Sequence, residues 1–133
     1  SAVIPAFIAR MMRGQRPLVD WDGKQSRDFT YVKNVVEANL RACRVPGVGG
    51  EVFNIACGET TSVNQIVDGL NALLGTTIKA QYQQKRPGDV RRTRADIGKM
   101  KRLLGMGRTI PFVAGLALTV RWFAERYDQD GAK

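Results

Sequence analysis

The apolar positions at the start of the chain recur at the spacing of an α-helix. They are Ile4, Phe7, Ile8, Met11 and Met12. Pro5 is acceptable in the first turn of a helix, and Gly14 is placed to end one. The chain is therefore predicted to open on an amphipathic helix.

Two further helices are predicted from apolar periodicity. Ser62, with Gln65 three positions later and Gly75 thirteen positions later, frames a helix with complete start and stop signals. After a break at Gly105 to Pro111, a last amphipathic helix is indicated by five apolar positions. They are Phe112, Leu116, Val120, Phe123 and Tyr127.

Two more helices are predicted mainly from their first residues. Asn34 is a good N-cap, and Val36, Leu40 and Cys43 after it share one helical face. Asp96 is placed to start a short helix that runs through Leu104.

Four short segments are predicted to be extended. "PLVDW" (17–21) and "DFTYV" (28–32) are rich in β-branched and aromatic residues and flank a turn. "EVFNIA" (51–56) is apolar without alternation, which is typical of a parallel strand covered on both faces. "TIKAQYQ" (77–83) alternates, so it predicts a strand with one wet face.

The predicted order of elements is αββαβαβαα, which is the α/β class. The chain has 133 residues, 44% of them hydrophobic. A domain of this size buries roughly two thirds of its unfolded surface. No repeat or linker divides the chain, so a single domain over residues 1–133 is expected.

Composition restricts the possible partners and chemistries. Lys and Arg number 21 against 12 acids, for a net charge of +9, which favours an anionic partner such as a phosphate, a nucleic acid or a membrane surface. The longest apolar run, 110–120, is shorter than the roughly 20 residues needed to span a bilayer, so no membrane segment is expected. We expect no signal peptide and a cytoplasmic location.

Catalytic, metal and cofactor motifs are missing from the sequence. There is no histidine, and Cys43 and Cys57 sit in apolar surroundings without zinc-site spacing, so both are expected to be buried free thiols. Neither GxGxxG nor GxxxxGK[ST] occurs. None of the three tyrosines has a lysine four residues later. We therefore predict no catalytic, cofactor-binding or metal-binding residues in this chain.

Two segments combine glycine with arginine. We call residues 22–29, "DGKQSRDF", the DG loop, and residues 85–96, "KRPGDVRRTRAD", the Arg-rich loop. An arginine fork can hold two phosphate oxygens at once, so one arginine from each loop could grip a diphosphate. A solvated basic face at Arg91, Arg92 and Arg94 and a nucleic-acid patch remain alternatives, although Tyr82 is the only nearby aromatic.

Four ordered motifs carry a family resemblance: "AVIPAFI", "DGKQSRDFTYV", "EVFNIACGETTSV" and "KRPGDVRRTRADIGKMKRLLG". Together they resemble the C-terminal, substrate-binding part of the NAD-dependent nucleotide-sugar epimerase/dehydratase family, the extended short-chain dehydrogenase/reductases. The likeness is strongest to UDP-glucose and UDP-N-acetylglucosamine 4-epimerases. In that family an N-terminal Rossmann domain, which this chain lacks, holds NAD and a Tyr-Lys catalytic pair.

The resemblance implies roles for particular residues. Arg27 and Arg86 would bind the diphosphate of a UDP-sugar, and Asp89 a ribose hydroxyl. Two stretches would border the uracil, the first comprising Val3, Ile4 and Pro5 and the second running from Leu18 through Asp20 and Trp21.

The chain departs from the family at four positions. Asp20 and Trp21 stand where an aromatic and then a glycine are common, and Asn34 replaces a usual aspartate that is nearly equivalent to it as an N-cap. Thr93 stands where galactose-type epimerases carry a larger tyrosine, so N-acetylhexosamines become plausible sugars.

The expected function is UDP-sugar binding in an NAD-dependent 4-epimerase, with no catalysis by this chain alone. Alternatives are a stand-alone binding or self-assembling protein, a sugar-nucleotide dehydratase or decarboxylase fragment, and a basic nucleic-acid module. In the family "EVFNIA" would pack against the Rossmann half. We therefore expect an exposed apolar patch that a homodimer or a domain-swapped assembly covers.

Overall fold

A computed structural model describes residues 3–130 of the chain, and side chains as far as residue 126. It contains five helices and four short strands in this part of the chain. They are α1 (Val3–Met11), β1 (Leu18–Asp20), β2 (Ser26–Arg27), α2 (Val32–Arg44), β3 (Thr61–Ser62), α3 (Val63–Leu74), β4 (Gln81–Gln83), α4 (Gly98–Leu104) and α5 (Phe112–Asp130). The predicted order αββαβαβαα is confirmed, although two of the strands lie elsewhere than expected.

The strands form two small two-stranded sheets. β1 and β4 pair in parallel, with Val19 opposite Tyr82. β2 and β3 pair antiparallel, with Ser26 opposite Ser62. A parallel bridge also joins Ser26 to Arg92, so the Arg-rich loop is attached to β2.

Two hydrophobic clusters support these elements. The first joins α1, β1, α3 and α5, and its fully buried members are Ile8, Met11, Val19, Ile66 and Leu70. The second joins α2 and α4 with the loops around them, through Ala38, Val48, Ala56, Ile97, Met100, Leu104 and Met106. The first cluster holds β1 and the start of α3, the two elements that carry the DG loop.

The helices predicted from local end signals are confirmed. Ser62 Oγ accepts the Gln65 N–H at 3.2 Å, and Gln65 Oε1 accepts the Ser62 N–H at 2.8 Å, which makes a complete capping box. Gly75 ends α3 at φ +64°, a conformation that costs glycine little. α4 is confirmed over Gly98–Leu104, but its N-cap is Ile97, so Asp96 lies one position before the cap that it was predicted to be; Asp96 Oδ1 accepts the Gly98 N–H at 2.8 Å.

The start of α2 differs from the prediction. The helix begins at Val32 and Tyr31 is its N-cap, so Asn34 lies inside the first turn and the N-cap assignment was wrong. The Asn34 side chain is buried and bonds to the backbone of Ile110 instead. A polar contact between segments 76 residues apart leaves no local sequence signal.

The apolar face of α2 points outward, and the prediction that both cysteines are buried is wrong for Cys43. Val36, Leu40 and Cys43 are exposed, whereas Asn34 and Ala38 are buried. The helix turns its small Ala38 toward the second cluster, because α4 packs there against α2. The apolar stripe predicted from periodicity therefore faces outward.

Two predicted strands are not formed within residues 3–130. In 28–32, the Asp28 carboxylate accepts the N–H groups of Cys57 and Gly58 at 3.0 and 2.9 Å, and Val32 already belongs to α2. Residues 51–56 pair with no described strand, and Val52 is 81% exposed. A strand exists only beside a hydrogen-bonded neighbour, so an apolar run by itself does not establish one.

The last two predicted elements are partly confirmed. In 77–83 only Gln81–Gln83 form a strand, with Ala80 buried before it and Tyr82 exposed. In α5, Leu116 and Val120 are buried as predicted, and the side chain of Tyr127 lies outside the described residues. Among helices within residues 3–130, none combines the length and apolarity that crossing a membrane requires.

Candidate functional site

The DG loop is fixed onto the first turn of α3. The Asn64 N–H donates to the Gly23 carbonyl at 2.9 Å, and Asn64 Nδ2 donates to the Asp22 carbonyl at 3.1 Å. A Cβ on Gly23, which has φ +70°, would come within 1.9 Å of Asn64 Oδ1. Only glycine therefore fits this turn, and the turn delivers the loop into β2 at Arg27.

Trp21 leads into the DG loop in a strained backbone conformation. Its φ is +63°, and among the described residues it alone is a non-glycine with positive φ. The conformation agrees with the glycine that the family commonly carries here. The Lys85 Nζ lies 4.1 Å from the centroid of the indole ring and the Arg91 Cζ lies 3.8 Å from it, both within cation–π range.

The Arg-rich loop lies beside β2 and is held there by backbone and side-chain bonds. The Ser26 N–H donates to the Arg91 carbonyl at 2.9 Å, and the Thr93 N–H donates to the Ser26 carbonyl at 3.1 Å. Arg91 Nη1 also contacts both oxygens of Asp22, at 2.7 and 2.9 Å. That bond and the Lys24 N–H hold the pKa of Asp22 below its usual value of 3.8.

A cavity of about 160 Å³ opens where α1, β1, β2 and the Arg-rich loop meet. Val3, Asp20, Arg27 and Asp89, four of the residues predicted from the resemblance, line it together. Its other lining residues are Phe7, Leu18, Gln25, Phe29 and Val63. Apolar walls with charged groups at one side suit a flat, partly apolar molecule that carries an anion.

Two ion pairs lie at this cavity. One joins the DG loop to the Arg-rich loop, and the other joins the Arg-rich loop to β1. Arg27 Nη2 donates to Asp89 Oδ1, with both side chains partly buried. Arg86 Nε lies 2.7 Å from Asp20 Oδ2, and the Arg86 side chain is 72% exposed whereas that of Asp20 is 22% exposed. Arg27 thus lines the cavity, whereas Arg86 does not line it and is held beside it through Asp20, so each predicted arginine is paired with a carboxylate.

Gln25 lines the cavity and was not selected by sequence reasoning. It is only 5% exposed; its Nε2 donates to the Asp20 carbonyl at 2.7 Å, and its Oε1 has no partner among the described residues. Buried polar atoms are normally satisfied. The signal available in the sequence was the position of this glutamine, two residues before Arg27 within the motif "DGKQSRDFTYV".

The remaining predicted site residues lie outside this cavity. Ile4 and Pro5 line a separate apolar cavity of about 270 Å³ with Phe29 and Phe112. Thr93 is exposed, and its backbone holds Ser26. Trp21 borders the loops through its two cation contacts.

The three arginines predicted to form a solvated face are all exposed, but one of them also has side-chain partners. Arg91 packs on Trp21 and pairs with Asp22, so it joins the two loops. Arg92 and Arg94 are exposed.

The groups at the cavity are suited to binding a ligand, because Arg27, Asp20 and Asp89 stand beside apolar walls. Burial raises the pKa of the Cys57 thiol above its usual value of 9.0, which disfavours the nucleophilic thiolate. Within residues 3–130, no three His, Cys, Asp or Glu side chains are grouped so that they could hold a metal ion.

Comparison with known proteins gives consistent matches. Residues 1–56 match the model of the NAD dependent epimerase/dehydratase family. The chain is 37% identical over 122 residues to a putative UDP-glucose 4-epimerase of Methanocaldococcus jannaschii, covering 92% of this chain and 39% of that protein. It is 33% identical over 122 residues to a dTDP-glucose 4,6-dehydratase of Streptomyces griseus, covering 91% of this chain and 37% of the relative.

A solved structure shares the fold. It is UDP-glucose 4-epimerase from Thermotoga maritima with UDP-glucose, and it superposes with a TM-score of 0.88 at 38% identity over 96% of this chain and 40% of its own. The chain thus spans about two fifths of the length of the relatives that it matches. Its α/β fold is that of the C-terminal region of an extended short-chain dehydrogenase/reductase, and the chain belongs, as a partial chain, to the NAD-dependent nucleotide-sugar epimerase/dehydratase family.

Proposed function

We propose that this chain is the UDP-sugar-binding domain of an NAD-dependent nucleotide-sugar 4-epimerase and is not catalytic on its own. One observation carries the proposal: Arg27 and Asp89 pair across two loops at a cavity that Asp20 and Val3 also line, with Arg86 held beside Asp20. The arginines would hold the diphosphate, Asp89 would accept a hydrogen bond from a ribose hydroxyl, and the apolar walls would enclose the base.

The chemistry of the side chains supports each assignment. Guanidinium groups form paired, charge-assisted hydrogen bonds with phosphate oxygens. Asp89 can release Arg27 to a phosphate and accept a hydroxyl in exchange, so neither charge is left unpaired. Firm anchoring of the diphosphate would let the sugar turn without leaving the protein, which is a positioning contribution to epimerisation.

The proposal assigns this chain no part in holding NAD. Its sequence contains no glycine-rich phosphate loop between a strand and a helix. In the 4-epimerase reaction, NAD supplies hydride transfer at sugar C4. What this chain's own residues contribute is the grip on the diphosphate and the enclosure of the base.

Calorimetry with UDP-glucose tests the function. Arg86→Ala removes a largely exposed side chain, so we expect the fold to persist and the affinity to fall by about 10- to 100-fold. Arg92→Ala, an exposed arginine of the same loop, is the matched control and should change affinity by less than about twofold. Equal binding by wild type and Arg86→Ala would contradict the proposal.

A short DNA duplex in the same instrument tests the nucleic-acid alternative. Binding to DNA that falls steeply between low and high salt would favour that module over the sugar-nucleotide site. UDP-glucose binding that exceeds duplex binding at both salt concentrations is the result we expect.

The sugar preference is a narrower part of the proposal. Thr93 is exposed, and its backbone is bonded to Ser26 beside Arg27. A small side chain there would leave room for an N-acetyl group, so UDP-N-acetylglucosamine is proposed to bind at least as tightly as UDP-glucose. A larger thermal shift with UDP-glucose would argue against it.

We also propose that a second copy covers the exposed apolar surface when the chain stands alone, giving a homodimer. The supporting observation is the outward face of α2, where Val32, Val36 and Leu40 are exposed. Contiguous apolar surface of this kind is characteristic of interfaces.

A further inference from the structure

Each arginine proposed to bind the diphosphate already has a carboxylate partner. Arg27 is paired with Asp89, and Arg86 Nε lies 2.7 Å from Asp20 Oδ2. Both basic groups are therefore paired with an acid in this structure. A diphosphate can bind through them only by displacing, or sharing with, the two acids.

The two acids differ in what they can do afterwards. Asp89 has a proposed partner in the ribose hydroxyl. Asp20 has none: it stands where the family commonly carries an aromatic, and it lines the cavity together with Arg27 and Asp89. Its side chain is 22% exposed, so solvent screens it less than the Arg86 side chain, which is 72% exposed.

The backbone holds Asp20 in place. Its carbonyl accepts a hydrogen bond from the buried Gln25 at 2.7 Å, and β1 pairs it with Gln83. Arg86, in contrast, lies in an exposed loop. When the pair separates, Arg86 is therefore the partner that moves.

We propose that Asp20 is an affinity-determining latch, which holds Arg86 away from the diphosphate until the ligand displaces it. This inference deepens the proposed function and rests on it. The latch weakens binding in two ways: the Asp20–Arg86 pair has to break, and a carboxylate then remains close to a phosphate group. Asp20 thereby sets the ligand concentration at which the site fills.

The test is a double-mutant cycle on the 133-residue chain, with UDP as the probe and calorimetry as the readout. Asp20→Asn keeps the size of the side chain and removes its charge. We expect UDP to bind about three- to tenfold more tightly to this variant, the scale of a partly exposed ion pair together with a relieved repulsion. In an Arg86→Ala background only the relieved repulsion remains, so the gain from Asp20→Asn should be smaller than in the wild-type background.

Glu51→Gln is the matched control. It removes one negative charge outside the DG loop and the Arg-rich loop, and it breaks a comparably exposed pair with Lys99. We expect it to change UDP affinity by less than about twofold. Unchanged melting temperatures of both variants would show that neither acts by unfolding the chain.

The possible outcomes separate the two proposals. Unchanged or weaker UDP binding by Asp20→Asn, together with loss of binding in Arg86→Ala, overturns the latch and leaves the proposed function standing. An undiminished gain in the Arg86→Ala background, or an equal gain in Glu51→Gln, shows a general charge effect and also overturns the latch. Unchanged UDP binding in Arg86→Ala contradicts the proposed function itself.

Discussion

The side-chain amide of Asn34 forms a two-way pair with the backbone of Ile110. Asn34 Nδ2 donates to the Ile110 carbonyl at 2.9 Å, and Asn34 Oδ1 accepts the Ile110 N–H at 2.8 Å. The residue is 3% exposed. This pair ties the first turn of α2 to the segment that enters α5, and it needs a donor and an acceptor on one side chain.

Asn34→Asp tests whether asparagine and the aspartate usual in the family are equivalent here. The introduced carboxylate keeps an acceptor for the Ile110 N–H but faces the Ile110 carbonyl without a proton to donate. We expect a loss of about 1 to 3 kcal/mol in the free energy of unfolding at neutral pH, measured by urea denaturation.

The pH dependence of that loss supplies a second measurement. A buried carboxyl beside a carbonyl has a raised pKa, and its protonated form can donate to Ile110. The raised pKa means that the variant recovers stability as pH falls and loses it as pH rises. Asn39→Asp, on the exposed side of the same helix, is the control, and an equal loss there would refute the account.

Trp21 supplies a prediction about backbone strain. At φ +63° a residue with a Cβ is strained by about 1 to 2 kcal/mol relative to glycine. Both Trp21→Gly and Trp21→Ala lose the contacts with Lys85 and Arg91. Trp21→Gly should therefore be more stable than Trp21→Ala by about 1 kcal/mol in urea denaturation.

In the control, the order of stability of the glycine and alanine variants should be reversed. Val90 is exposed and has no positive φ, so Val90→Gly should be less stable than Val90→Ala by about 0.5 to 1 kcal/mol. The same order of stability at both positions would show that strain at Trp21 does not decide the outcome.

The two cysteines should differ in reactivity. Cys43 is exposed, whereas burial, with added effects of Asp28 and Glu59, raises the pKa of Cys57 above its usual 9.0. Iodoacetamide at pH 8 should therefore modify Cys43 first, as read by peptide mass spectrometry. The rate at Cys57 should keep rising with pH above about pH 9, because its thiolate fraction is still growing there, and equal rates at pH 8 would contradict the placement of Cys57.

The exposed face of α2 predicts self-association. Val36→Lys together with Leu40→Lys places charge on that face without removing a buried side chain. We expect sedimentation velocity to show a dimer for the wild type and a monomer for the double variant at the same concentration. Asn39→Lys on the same helix is the control, and a wild-type chain that stays monomeric at all concentrations would refute the proposed homodimer.

Local signals in the sequence predicted the helices well. The capping box at Ser62 and Gln65, the glycine at 75 and the periodicity from Ile4 onward each act within one or two turns, so their physical effect lies within the segment that displays them. The residues of the two loops were also selected in advance, because glycine and arginine have few substitutes in an anion-binding turn.

Features that depend on distant partners were predicted poorly. The apolar runs 28–32 and 51–56 form no strand among the described residues, since a strand needs a hydrogen-bonded neighbour that the run itself does not specify. Asn34 was assigned as a cap because its partner, Ile110, lies 76 positions away. Gln25 has no local signal in the sequence, because its burial depends on the packing around the cavity. Its Oε1 has no partner among the described residues.

The sequence alone determined the element order, the ends of α3, the basic charge and the family resemblance, because each depends on residue type and short-range spacing. The tertiary structure alone decided which groups meet: Arg27 with Asp89, Arg86 with Asp20, and the left-handed backbone at Trp21 under two cations. Ion pairing depends on distance, and distance between residues that are far apart in the chain is set only when the elements pack.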